Sequence, residues 1–113
     1  MRANRDADRF GALPRRRVQG RVVPVATGFH SRLLGLAGLR REQAGAGLLI
    51  PRCAGVHTFG MRFDLDLVFL DRRDRTLAVF LRVPPGRLVW HAGAAAVLEI
   101  PSHEGGEFAG ART

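Results

Sequence analysis

From position 21 onward the chain sets short apolar runs between turn residues at intervals of about eight to twelve positions, the pattern of a small all-β domain. The clearest run is 56–70, VHTFGMRFDLDLVFL. Phe59, Met61, Phe63, Leu65, Leu67 and Phe69 occupy every second position, which predicts one strand with a single core-facing side. The other parity carries Thr58, Gly60, Arg62, Asp64 and Asp66 and then turns apolar at Val68 and Leu70. The first half is therefore expected to be half-exposed and the second half buried on both faces. Residues 71–75 (DRRDR) read as a polar turn, and 76–83 (TLAVFLRV) as the partner strand of a hairpin. Further strands are predicted at 21–26, which Pro24 restricts to an edge, and at 48–50, 87–91 and 95–100. Ser31 is placed to cap a short helix over 32–36, and 39–44 form a second helical turn stopped at Gly45. The pattern predicts a mostly-β sandwich or barrel of about six to seven strands with one or two short helices. It excludes a βαβ fold, and no glycine-rich phosphate loop follows a strand.

Composition adds little to this picture, but the placement of charge divides the chain. The 113 residues carry a formal net charge of +8, and all 18 basic residues are arginine. Seven of these arginines lie within residues 1–21, beside two aspartates. Residues 1–20 are accordingly expected to be a flexible, solvated leader, 21–101 a single β domain, and the polar, glycine-rich 102–113 a flexible tail. Arg15, Arg16 and Arg17 suit weak, non-specific contact with nucleic acid, although no aromatic residue interleaves them as a stacking platform would require. The leader has no apolar core of a secretory signal, no run approaches the ~18 apolar residues of a membrane span, and the single Cys53 permits no internal disulfide. These features predict a cytoplasmic protein without membrane association.

The segments Ser31-Arg32, Gly35 to Arg40, Gly47 to Ile50, His57 to Asp71, Pro84 to Arg87 and Ala96 to Pro101 follow one another in an order that resembles the bacterial and archaeal family called domain of unknown function 192. The HTFGMRFDLDLVFLD run carries most of the resemblance, which extends over about residues 22–101. It implies a jelly-roll-like, mostly-β domain with a short helix near its start and no established activity. The family usually has proline at the position of Asp64, and a glycine and a closing strand after the VLE segment, where this chain has SHEGGEFAGART.

Candidate chemistry is concentrated in the same run. Arg62 and Asp66 share a parity but stand ~13 Å apart on a straight strand at ~3.3 Å per residue, so they meet only if the chain bends near Asp64. A bulge at Gly60 would bring His57 onto their face. Three arrangements follow: a structural network in which Asp66 holds Arg62 or a backbone amide, a pocket binding a small anion through His57 and Arg62, or acid–base chemistry by His57 oriented by Asp66. Cys53 lies four positions before His57 and is either half of a nucleophile pair or a small buried hydrophobe. His30, His91 and His103 have no paired ligand spacing, so no metal site and no cofactor are expected. Trp90 belongs to the core or to the mouth of a pocket. Glu99, inside the apolar VLEI segment, faces outward or pairs with Arg62, Arg82 or Arg87.

No complete catalytic set is present. The sequence therefore points to a small binding or accessory module with a polar site near the HTFGMRFDLD run. The alternatives are a small hydrolase-like enzyme using Cys53 or His57, and a nucleic-acid-associated protein acting through the arginine-rich leader.

Overall fold

The computed structural model describes residues 7–102, and within that range the side chains of Ala7, Asp8 and Phe29 are left undescribed. A 3-10 turn at Ala7–Phe10 leads into β1 (Arg15–Val18) and β2 (Arg21–Pro24). Next come α1 (Phe29–Leu34), α2 (Arg41–Ala44), β3 (Leu48–Pro51) and β4 (Gly55–His57). The strands β5 (Leu65–Leu70), β6 (Thr76–Val83), β7 (Leu88–Trp90) and β8 (Ala96–Pro101) follow. The described residues thus form a mostly-β domain of eight strands and two short helices.

The centre is a four-stranded antiparallel sheet in the order β3-β8-β5-β6, flanked by the two-stranded sheets β1-β2 and β4-β7. The sheets do not close into a barrel. Instead the central sheet is covered on both faces, as in a sandwich. On one face Leu48, Ile50, Leu65, Leu67, Phe69 and Val97 pack with Leu36, Leu39 and Ala44 of the helical segment and with Phe10, Met61 and Phe63. On the other, Leu49, Val68, Leu70, Leu98 and Ile100 pack against Val18, Val23 and Val25. This second cover explains why every residue of β5 is buried.

The described part of the expected flexible leader, residues 7–20, is therefore folded. Phe10 and Val18 are only 6% and 3% exposed. Gln19 and Gly20 both take positive φ (53° and 79°), closing β1 and β2 into a two-residue hairpin whose twist matches that of the strands. Residues 1–6 of the leader and 103–113 of the tail lie outside the described residues. Ser102, the first residue of the expected tail, is buried.

The single strand expected over 56–70 is interrupted. After β4 the chain turns at Gly60 (φ 79°) before β5 begins at Leu65. Met61, Phe63, Leu65, Leu67 and Phe69 still reach one core, but Phe59 is expelled and 51% exposed. The interruption is held by Thr58, a fully buried side chain. Its Oγ1 donates to the Pro84 carbonyl (2.7 Å) and accepts the Arg87 N–H (2.8 Å), tying this turn to the Pro84-Pro85-Gly86 turn. The β5–β6 hairpin forms as the pattern predicts. Ser31 does not cap α1, whose N-cap is Gly28, whereas α2 ends at Gly45 as expected.

Candidate functional site

The pairing of β4 with β7 leaves a cleft between this small sheet and α1. Leu33 and Leu34 of α1, Val56 of β4, and Leu88, Val89 and Trp90 of β7 line a cavity of about 350 Å³, together with Arg32, His57 and Glu99. Its rim is an exposed apolar cluster, with Leu88 63% and Trp90 70% exposed. Such a cluster around a concavity is the common form of a small-ligand site.

The polar groups of the cavity are held in fixed roles. The Nδ1 atom of His57 accepts the Phe59 N–H at 3.1 Å, so Nε2 carries the ring proton and donates it to the Leu33 carbonyl at 2.8 Å. The imidazole also stacks on Phe59, with centroids 5.6 Å apart. Arg32 donates to the carbonyl oxygens of Pro51 and Arg52, anchoring α1 to the end of β3.

Glu99 differs from these. It projects from β8 in the middle of the sheet, is 1% exposed, and has Oε1 without any hydrogen-bond partner. Burial pushes its carboxyl up to about 8, and a hydrogen bond from the Leu36 backbone N–H offsets this only in part. At neutral pH the group is therefore mainly a neutral acid, able to donate as well as accept. The ion pair expected with Arg62, Arg82 or Arg87 does not form. Among the described residues no guanidinium pairs with it, because the face of the sheet onto which Glu99 projects is packed with apolar side chains such as Leu36, Leu48 and Leu67.

Two glycines make room for this acid. A Cβ on Gly35 would lie 2.6 Å from Glu99 Oε1, and one on Gly47 would lie 2.4 Å from the Glu99 backbone oxygen. Gly35 also has φ 55° and ψ −128°, a conformation that side chains resist. Gly35→Ala is expected to destabilise the fold by about 2 kcal/mol or more, measured by urea denaturation, through backbone strain and crowding of Glu99. A change below about 0.5 kcal/mol, the scatter of ordinary surface substitutions, would show that the turn relaxes freely.

Of the residues singled out from the sequence, His57, Trp90 and Glu99 meet at this cavity, and Cys53, Arg62 and Asp66 do not. Arg62 is exposed and makes one long contact, from Nη1 to the Gly38 carbonyl (3.4 Å). It forms no ion pair with Asp66, which is fully buried on β5. Asp66 Oδ1 instead accepts the Ser102 hydroxyl (2.6 Å) and the Arg82 N–H (3.0 Å). Arg82 has a left-handed φ of 53° where the β5–β6 register slips, and its amide, displaced from the ladder, is taken up by the carboxylate. Asp66 is thus a brace for a bulge. The Cys53 thiol donates to the Gly55 carbonyl (2.9 Å), and both nitrogens of His57 are engaged elsewhere, so the two do not form a nucleophile–base pair. The anion pocket expected from His57 and Arg62 does not assemble. His103 lies outside the described residues, and no group of three His, Cys, Asp or Glu side chains gathers among those described. Sequence reasoning missed Arg32, Leu33 and Leu34, whose helix reads as an ordinary apolar turn, and Val56 and Leu88, whose pairing across β4 and β7 is non-local.

The fold and cavity define a small β domain with an apolar pocket over a buried acid. The sequence model of domain of unknown function 192, described as "Uncharacterized ACR", matches residues 14–109, and the chain belongs to that family. No curated protein matches it. Two crystal structures share the fold. One is a protein of unknown function from Novosphingobium aromaticivorans DSM 12444, with 23% identity and a TM-score of 0.57. The match covers 71% of this chain and 64% of that protein, so this chain spans less than two thirds of the other's length. The other is a "putative transcription regulator" from Sinorhizobium meliloti 1021, with 20% identity, a TM-score of 0.63, and coverage of 71% of this chain and 67% of that one. No helix among the described residues is long and apolar enough to cross a membrane.

Proposed function

We propose that the chain is a small binding module whose site is the cavity between α1 and the β4-β7 sheet, and that its ligand has an apolar body ending in a neutral hydrogen-bonding group. The observation that carries this reading is Glu99, a buried acid among the residues that line an apolar cavity, whose Oε1 has no hydrogen-bond partner. Buried polar atoms are rarely left unpaired, and a carboxyl beside a cavity reaches what enters it after a small side-chain rotation. An amide or hydroxyl suits the site better than a carboxylate does, because an anion would have to give up its hydration in an apolar cavity. The apolar side chains supply the remaining affinity by burying the ligand's hydrocarbon. A cytoplasmic location accompanies this reading, on the single free thiol, and fractionation of the host checks it.

Trp90 is the only tryptophan and sits on the rim, so its emission reports occupancy directly. Titration with hexanamide and hexanol is expected to give a saturable change in Trp90 fluorescence, with hexanoate at neutral pH binding at least tenfold more weakly. Leu88→Arg, at an exposed rim position, should abolish saturation without lowering the melting temperature. A flat response to the neutral probes, or an equal response in the Leu88→Arg variant, defeats the proposal.

A further inference from the structure

A second concavity differs from the first in the charged residues around it. The β5–β6 turn, the segment before β8 and the residue after β3 enclose about 620 Å³ lined by Arg52, Arg72, Arg73 and Arg75, with Asp71, Gly93, Ala94 and Ala95. Four arginines line it against one aspartate, and that carboxylate is already engaged. Asp71 Oδ1 accepts the N–H groups of Arg73 (2.8 Å) and Arg75 (2.9 Å), and Oδ2 accepts Nε of Arg75 (2.8 Å). These bonds fix the turn and leave the side chains of Arg72 and Arg73 exposed. Arg52 enters from another element. Its backbone is left-handed (φ 50°), and its carbonyl is held by Arg32 (3.1 Å). The nearby Asp74 does not offset the charge, because Arg16 of β1 pairs with it. That contact also sets β1, with the exposed Arg15 and Arg17, beside the same turn.

We propose that this arginine-lined concavity, extended by β1, binds the phosphodiester backbone of a nucleic acid. Several guanidinium groups spread across three chain segments fit a row of phosphates better than one anion. The small walls of Gly93, Ala94 and Ala95 let a backbone approach closely. The lining carries no aromatic side chain to stack a base and no Asn or Gln to read a base edge, so recognition is of backbone rather than sequence. It also has no bulky apolar side chain to insert into a bilayer, and a concave surface meets a ridge of phosphates better than a flat lipid face. The site is separate from the apolar cavity and does not depend on the function proposed for it.

The test measures fluorescence anisotropy of two labelled DNA duplexes of unrelated sequence across a series of salt concentrations. Both duplexes should bind equally, with log Kd changing with log salt at a slope of roughly 3–4, as expected for about four neutralised phosphates. Arg72→Ser/Arg73→Ser should lower that slope by about two and weaken low-salt binding by tenfold or more. Arg62→Ser/Arg87→Ser, which removes the same charge away from the concavity, should change the slope by less than half as much. Circular dichroism melts confirm that the variants remain folded, and if the double variant unfolds, Arg52→Ser alone should lower the slope by about one. Equal losses in the two double variants would assign binding to net charge alone and overturn the site. Absence of duplex binding at low salt, or binding to anionic lipid vesicles without binding to duplex, would also overturn it.

Discussion

A chain lacking residues 1–18 is expected to lose its cooperative unfolding transition. The arginine run at 15–17 argues for a dispensable arm, but the packing argues otherwise. Val18 closes the face of the central sheet formed by Leu49, Val68, Leu70, Leu98 and Ile100, together with Val23 and Val25. Phe10 fills the opposite core beside Leu36 and Leu39, and Arg9 donates to the Gly35 carbonyl (2.7 Å). Deletion removes the β1–β2 ladder, a buried phenylalanine and a buried valine, and exposes apolar surface on β5 and β8. Burial of a phenylalanine and a valine contributes roughly 1.5–3 kcal/mol each. With the ladder included, the loss is about 5 kcal/mol or more, comparable to the whole stability of a small domain. Thermal denaturation followed by circular dichroism checks this. A truncated chain that melts within a few degrees of the full one would mean that the hairpin lies loosely on a self-sufficient sheet. Val18→Asp should reproduce most of the effect, because it places a charge in the same apolar layer.

The sequence signal for that layer was the doubly apolar end of β5. Val68 and Leu70 on the second parity demand a cover, and part of it, Val18, lies in a stretch that reads as a solvated leader. What hid the cover was the composition of β1, RRRV, in which one apolar residue in four is buried, and a hairpin turn made by Gln-Gly rather than the usual Asn-Gly. The β5–β6 hairpin and the end of α2 were legible because each depends on local pattern, namely alternation across a polar turn and a glycine stop. The site was only partly legible for the corresponding reason. His57, Trp90 and Glu99 stand out individually, but their meeting depends on β4 pairing with β7 and on β8 inserting between β3 and β5, and neither pairing leaves a local mark. The Arg62–Asp66 pair failed for a physical reason too. A carboxylate at the centre of a sheet takes the nearest unpaired donor, and the bulge at Arg82 supplies a backbone N–H at 3.0 Å, whereas Arg62 lies in the turn before β5 and stays exposed.

The buried acid of the cavity leads to the second large effect. Glu99 has a folded-state pKa of about 8 against an ordinary value of 4.5, with desolvation as the main cause. Between these values the folded chain retains a proton that the unfolded chain releases, so stability falls as pH rises. The contribution is fully present below pH 4.5 and is lost as pH climbs through 8. At about 1.4 kcal/mol per pH unit, the loss is roughly 3 kcal/mol by neutral pH and roughly 5 kcal/mol once the group ionises in the fold. Glu99→Gln keeps the shape and an acceptor for the Leu36 N–H but has no proton to release. The variant and the parent should therefore be of similar stability near pH 5, and the variant should become the more stable by several kcal/mol near pH 8. Taking the difference between two urea-denaturation series over this range cancels the titration of the histidines and of every other group the two chains share. Parallel curves would place the carboxyl in contact with water and remove it from the cavity's chemistry. A ligand that hydrogen-bonds the neutral acid should extend the same effect, raising the apparent pKa of Glu99 and binding more tightly below pH 8 than above it.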